Sequence, residues 1–211
     1  MESESASHAC IFFDNHSSSR LSPEFISAYI TSEQLAGHYS KGFTPEKLEQ
    51  LIGPFRTSPL GLVLKPNADT FQMIQDMSFP CGQPEVASVN NGIDPNNFPT
   101  EWGTFDATSL MILSLPPGCI AATFNISAAY CLTPIRPDQQ QHLCVMWEGL
   151  IYINRAVMFS LASSAGIFGC VADMLVAIYK AAGFHPLLKW GMISSLSVFQ
   201  ISPGLSRISW T

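Results

Sequence analysis

The sequence predicts an α+β fold, and three observations predict it. Residues 60–76 and 142–154 each read as two short apolar strands around a turn, and the apolar run from Cys119 to Ile126 reads as a buried strand. From Ser163 onward, Ile167, Val171, Met174, Leu175 and Ile178 recur at helical spacing. The resulting order of strands, short helices, a further hairpin and a long helix is that of an antiparallel sheet packed on helices.

Each element has a local reason. Residues 1–21 are rich in serine and lack periodicity, so they read as a disordered lead-in. Ser22-Pro23-Glu24 and Thr44-Pro45-Glu46 each place a capping residue before a proline at the first helical position, and Gly53-Pro54 closes the second helix. Leu60 to Lys65 and Phe71 to Asp76 flank a turn at 66–69 and form the first hairpin. Residues 79–104, rich in Pro, Gly and Asn, read as loop. Asp106 can cap a short helix through Leu113, which Pro116-Pro117-Gly118 ends. Glu148-Gly149 makes a tight turn between His142–Trp147 and Leu150–Asn154, and Gly183 can end the last helix.

Composition narrows the function. Of the 211 residues 47% are hydrophobic, enough for one core or one core with a small subdomain. Only 12% are charged, against roughly 25% in soluble domains, and the mean hydropathy is +0.21. The net charge of -6 and only ten Lys and Arg residues, with no run of three, disfavour strong autonomous binding to nucleic acid, whose affinity comes largely from basic residues displacing counterions. The acidic start Met1-Glu2-Ser3-Glu4-Ser5 is unlike a secretory leader, so an intracellular chain, cytoplasmic or nuclear, is expected.

The usual chemical motifs are missing. The six cysteines never approach Cys-x-x-Cys spacing and read as reduced thiols, and the five histidines show no metalloprotease spacing. No metal ligand set is therefore expected. There is no Gly-x-Ser-x-Gly elbow, Gly-x-Gly-x-x-Gly turn or phosphate loop. Between Ala156 and Ala182 the only charges are Asp173 and Lys180, a stretch that suggests a membrane span. A carboxylate near its middle favours a buried helix instead.

Two strings carry a resemblance. SPLGLVLKPNADTFQMIQDMS, Ser58 to Ser78, resembles the fingers hairpin of reverse transcriptases, in which a strand ending in Lys-Pro returns to a Gln-Asp pair. ATFNISAAYCLTPIRPDQQQHLCVMWEGLIYINRAVMFSLASSAGIFG, Ala122 to Gly169, resembles the palm from its first catalytic strand to the start of the helix supporting the template. The likeness runs from about Ile26 to Trp190 and is greatest to fungal retroelements of the tyrosine-recombinase (DIRS-type) group. It implies truncated fingers and palm with an incomplete antiparallel palm sheet packed on helices. The implied layout is a lead-in at 1–21, fingers-like residues 22–118 with the hairpin at 60–76, a partial palm at 119–190, and a non-homologous tail at 191–211. No recombinase, integrase, protease or ribonuclease H segment is visible, so part of a polyprotein is expected.

The resemblance also implies what is lost. Such palms hold two magnesium ions with one aspartate from the first palm strand and an adjacent pair from a later hairpin. Asn125 stands at the first position and offers a neutral carbonyl oxygen to a hard cation that is reluctant to shed water. The later pair should follow Lys189-Trp190, where Gly191-Met192-Ile193-Ser194-Ser195 stands, and no acidic residue occurs from Gly191 to Thr211. Read one base earlier, Met192-Ile193 must yield the aspartate codon GAT, and a second aspartate precedes it if the Gly191 codon ends in G. A one-base deletion, a retained intron and chance divergence each account for such a tail.

Gln72 takes the place of an arginine that pairs with the incoming triphosphate, while Lys65 reads equally as phosphate ligand or solvated lysine. Ile126, Ser127, Ala128, Ala129 and Tyr130 match the nucleotide-binding stretch. Tyr130 matches the aromatic residue beneath the sugar, or is simply packed. Ser160 replaces an expected glycine. No bound magnesium is expected here, template-primer and deoxynucleotide are ancestral partners now weak or lost, and a membrane is not expected as a partner. The reading is an RNA-directed DNA polymerase by descent, inactive in this chain. A non-catalytic nucleic-acid or partner-binding remnant and a membrane-associated protein are the alternatives. Without the palm hairpin, the strand at 119–126 should have an open edge.

Overall fold

The computed structural model describes residues 9–66, 69–82, 86–190 and 195–200, with residues 120–125, 190 and 195–200 described by their backbone alone. The chain forms two compact units, each discontinuous in sequence.

The first unit comprises Met1–Asp94 and Cys131–Ala162. Helix α1 (Pro23–Leu35) buries Ile26 and Ile30, one turn apart, and α2 (Pro45–Ile52) buries Leu48. Proline opens both helices, as predicted, and Thr44 Oγ1 accepts from Lys47 N at 3.3 Å, whereas the Ser22 side chain makes no cap bond. Strands β1 (Leu60–Leu64) and β2 (Phe71–Gln75) form the predicted hairpin, in register from Leu60↔Gln75 to Leu64↔Phe71.

A second hairpin lies within the same unit. Strand β3 (Ile120–Asn125) belongs to the other unit, and the strands of this hairpin are β4 (Cys144–Trp147) and β5 (Leu150–Ile153). Glu148 and Gly149 turn at φ 49° and 76°, the positive values that a two-residue hairpin turn needs for its twist to match the strands. The hairpin is apolar on both faces because both are covered. Val145 and Trp147 pack with Ile26, Ile30, Tyr39, Leu60 and Leu62, while Cys144, Ile151 and Ile153 pack with Leu48 and Phe55.

The expected disordered lead-in is corrected over residues 9–21. Ile11 N donates to Phe55 O at 2.9 Å, Thr57 N to Ile11 O at 2.9 Å and His16 N to Leu60 O at 3.0 Å, and Ser17–Leu21 makes a 3-10 turn. Asn15 Oδ1 accepts from Leu60 N at 2.8 Å and its Nδ2 donates to Met146 O at 2.9 Å, while Ser18 Oγ accepts from Leu62 N at 3.1 Å. Polar composition suggested disorder because such residues bury little apolar surface. Here the same side chains satisfy backbone groups of β1 that would otherwise go unpaired.

The second unit comprises Pro95–Tyr130 and Ser163–Thr211. Helix α3 (Phe105–Ser114) starts earlier than predicted: Thr104 Oγ1 caps it by accepting from Ala107 N at 3.1 Å, and Asp106 lies in its first turn, where a carboxylate suits the positive helix end. Strand β3 (Ile120–Asn125), helix α4 (Ser164–Ala181) and strands β6 (Leu187–Trp190) and β7 (Ser195–Gln200) complete it. The sheet order is β3-β7-β6, antiparallel throughout.

That order corrects one expectation. Strand β3 does not have the expected open edge toward a missing hairpin, because β7 pairs with it from Ile120↔Gln200 to Asn125↔Ser195, and β6 pairs with β7 up to Trp190↔Ser195. Residues 195–200 of the expected tail are therefore sheet, and the Ser-Leu-Ser-Val alternation over 195–198 is a strand pattern. Residues 131–162, which carry the β4–β5 hairpin, pack with the first unit.

Helix α4 is long and apolar enough to cross a membrane by length and composition. One face packs on protein: Gly166 abuts Phe98, Gly169 abuts Thr100, and Phe168 and Ala172 are buried with Ala129. Asp173, the charge that argued against a span, pairs with Lys189 of β6 at 2.6 Å. Lys189 is 8% exposed, its Nζ also donates to Thr100 Oγ1 at 2.8 Å and Gly169 O at 3.3 Å, and it sits 4.9 Å from the Trp102 ring centre.

Candidate functional site

In the second unit, β3 delivers Asn125 to the end of the sheet, where its register partner is Ser195. Strand β6 stops at Trp190 and β7 begins at Ser195, so the segment expected to carry the acidic pair, 191–194, connects these paired strands. It lies outside the described residues. The sequence thus puts a neutral residue at the end of β3 and no carboxylate in the connection beside it.

Residues 126–130 leave β3 in a tight path. Ile126 is half-buried, Ser127 and Ala128 are exposed, and Ala129 starts a short 3-10 turn that ends at Leu132. Ala128 adopts φ 49°, a left-handed conformation that costs a residue with a Cβ roughly 1 kcal/mol or more. Tyr130 is half-buried and meets Phe168 of α4 edge to face, with ring centres 5.8 Å apart, and Trp102 stacks on the same Phe168 at 6.3 Å. Burial pushes the Tyr130 phenol above its ordinary pKa. These contacts give Tyr130 a packing role.

The fingers-type residues belong to the first unit. Lys65, just beyond β1, is exposed and pairs through its backbone, N to Thr70 O at 2.9 Å. Gln72 is exposed opposite Val63, and strand alternation puts it on the same hairpin face as Lys65. The adjoining Gln-Asp pair is held internally. Gln75 Oε1 accepts from the buried Tyr39 hydroxyl at 3.3 Å and from Asn154 Nδ2 at 3.4 Å, while Asp76 accepts from His16 Nε2 at 3.0 Å and from Ser78 N at 2.9 Å. Ser160, in place of an expected glycine, has no positive φ, and its carbonyl accepts from Asn90 Nδ2 at 2.9 Å.

These units match known folds. No protein-family model and no curated protein matches the chain. Among solved structures, the native protease–reverse transcriptase of prototype foamy virus is similar at a TM-score of 0.60 and 13% identity, over 92% of this chain and 22% of that one. The chain has a reverse-transcriptase-like fold. The foamy viral protease–reverse transcriptase in complex with an RNA/DNA hybrid matches at 0.61 and 17%, over 95% of this chain and 22% of that one. The same kind of enzyme in complex with double-stranded DNA matches at 0.56 and 15%, over 92% and 33%. This chain thus spans between about a fifth and a third of each matched chain, and identity at this level carries the fold alone.

One cluster escaped the sequence reading. Glu33 at the end of α1, His38 just beyond it and Cys131 bring one ligand atom each within 4.8 Å of one another, all three half-buried in the first unit. Helix α1 closes so that Gly37, at φ 81°, donates its N–H to Gln34 O at 3.0 Å, and His38 N donates to Glu33 O at 2.9 Å. This reversal needs the left-handed conformation that glycine adopts freely, and it folds His38 back onto Glu33. His38 Nδ1 then donates to Glu33 Oε2 at 2.8 Å. Tyr29, one turn before Glu33, sits beside its carboxylate, and burial, with the nearby Glu33 and Cys131, pushes the phenol up to about 12. Burial and Glu33 also raise the Cys131 thiol. Cys131 lies far from the other two in sequence, so no spacing rule links them; the Gly37 helix stop is the only local signal.

Proposed function

We propose that this chain is a degenerate reverse-transcriptase domain of a retroelement, a nucleotidyl-transferase by descent that no longer synthesises DNA. The observation that carries the reading is the backbone alignment of Asn125 with Ser195, beside a connection whose sequence has no aspartate or glutamate. In palms of this type, magnesium activates the primer hydroxyl and clamps the triphosphate, and carboxylates at these places would hold it. An amide oxygen with no acidic neighbours in the connection supplies too little negative charge to compete with water for magnesium. The residues present do not fit the two-metal group.

The strings at 58–78 and 122–169 support a fungal, tyrosine-recombinase-type origin. The matched structures that hold an RNA/DNA hybrid or double-stranded DNA support template-primer as the ancestral partner, and the net charge of -6 argues that such binding here is weak.

The test is primer extension by the purified full chain on a primed RNA template with four deoxynucleotides and magnesium. The expected result is no product above a protein-free blank, and steady incorporation overturns the reading. Salt-sensitive retention of the primed template without extension favours a binding remnant.

A further inference from the structure

We propose that Glu33, His38 and Cys131 form a zinc site in the first unit, with a thiolate, an imidazole and a carboxylate as protein ligands and water in the fourth place. The proposal is independent of the polymerase reading, because these residues lie outside the catalytic stretch.

Ligand chemistry favours zinc. Zinc takes sulfur, nitrogen and oxygen donors in tetrahedral geometry, with bonds of about 2.0–2.3 Å that set its ligand atoms roughly 3.5 Å apart. The three donors already lie within 4.8 Å of one another, so side-chain rotations on the order of an ångström close the site. Magnesium and calcium would reject the thiol, whereas a soft donor beside an imidazole suits zinc.

Charge balance points the same way. One thiolate and one carboxylate neutralise a divalent cation, so a half-buried complex carries no net charge. The cation would also sit at the C-terminal end of α1, whose partial negative charge favours it. On binding, the Cys131 thiol gives up its proton to solvent, the proton on His38 Nδ1 passes through solvent so that the ring keeps one on Nε2, and the His38–Glu33 hydrogen bond is exchanged for one bond from each residue to zinc.

The surroundings hold the donors in place. Tyr29, one turn before Glu33, lies beside its carboxylate, where it can serve as an outer contact to a metal ligand. The Glu33 carbonyl accepts from both His38 N and Tyr39 N, which fixes the backbone of the first two ligands against each other. A plain Glu–His helix stop requires neither a thiol from residue 131 nor the tyrosine.

The experiment is zinc titration of the metal-stripped full chain against a chromophoric chelator, repeated with cobalt to read the thiolate-to-metal charge-transfer band. One equivalent of zinc per chain is expected. Cys131→Ser should weaken uptake by about tenfold or more and abolish the cobalt band, and His38→Gln should weaken uptake similarly. Cys81→Ser and Cys170→Ser, at exposed cysteines, should change neither.

No stoichiometric uptake, or full uptake by folded Cys131→Ser, overturns the site, and so does equal loss in Cys170→Ser. Should the variants fail to fold, alkylation of the unaltered chain decides, read residue by residue by mass spectrometry. Protection of Cys131 by zinc supports the site, and alkylation unchanged at saturating zinc overturns it.

Discussion

Asn125 on β3 is the register partner of Ser195 on β7, so the last residue of the first palm-type strand lies directly across from the residue that follows the 191–194 connection. On the proposed reading, the end of β3 and the 191–194 connection would supply carboxylates from separate segments to one pair of metal ions. In this sequence the first is an amide and the second has no acidic residue. Asn125→Asp should therefore leave primer extension undetectable and manganese binding, read by electron paramagnetic resonance, indistinguishable from the parent. Adding Met192→Asp and Ile193→Asp to it should tighten manganese binding by about tenfold or more, since three carboxylates then share the cation. Extension by Asn125→Asp alone would mean that acidic residues elsewhere serve the metals.

Gly169→Ala tests how α4 is seated. Alanine is worth up to about 1 kcal/mol over glycine inside a helix. A methyl at 169, however, would overlap the Thr100 side chain, which must shift and which also accepts from Lys189. Overpacking of this kind costs about 1–3 kcal/mol, so the steric term wins. A net loss of about 1–2 kcal/mol in urea unfolding is expected, and a more stable variant would show that Thr100 yields without cost.

Elements whose signals are local were legible in the sequence. Pro23, Pro45, Gly53 and the Glu148-Gly149 turn each act within a few residues, and the elements they mark form where predicted. The lead-in was illegible because Asn15 and Ser18 act through hydrogen bonds to strands far along the chain. Strand β7 was illegible because a four-residue alternation is a weak signal by itself and its pairing with β3 joins residues far apart in the chain. At the site, Asn125 and the acid-free connection could be read directly, whereas the Glu33–His38–Cys131 cluster depends on a long-range return of the chain.

Asn15→Ala measures how far the lead-in is tied down. Its side chain bonds Leu60 N at 2.8 Å and Met146 O at 2.9 Å, linking β1 to β4. Truncation leaves a backbone donor and acceptor unpaired at partly buried positions, for which about 2 kcal/mol is the expected cost. Hydrogen exchange at Leu60 should also quicken. Unchanged stability together with unchanged exchange would mean that water replaces both bonds.

Alkaline conditions should weaken the first unit. Burial raises the Cys144 thiol from its ordinary 9.0 to about 12, and burial first, then Glu33 and Cys131, raises Tyr29 from 10.0 to about 12. For both groups the folded state holds its proton more tightly than the unfolded chain does. Below pH 9 the protein feels no penalty; between 9 and 12 the unfolded chain gains by losing protons that the folded chain keeps, so stability falls as pH rises. The loss should be on the order of 2 kcal/mol by about pH 11, most of it from Cys144. In Cys144→Ala the fall should be shallower, carried by the Cys131 thiol and then by Tyr29. Urea midpoints measured across this range check it, and a flat profile from 9 to 12 would show that Cys144 ionises as freely in the folded chain as in the unfolded one.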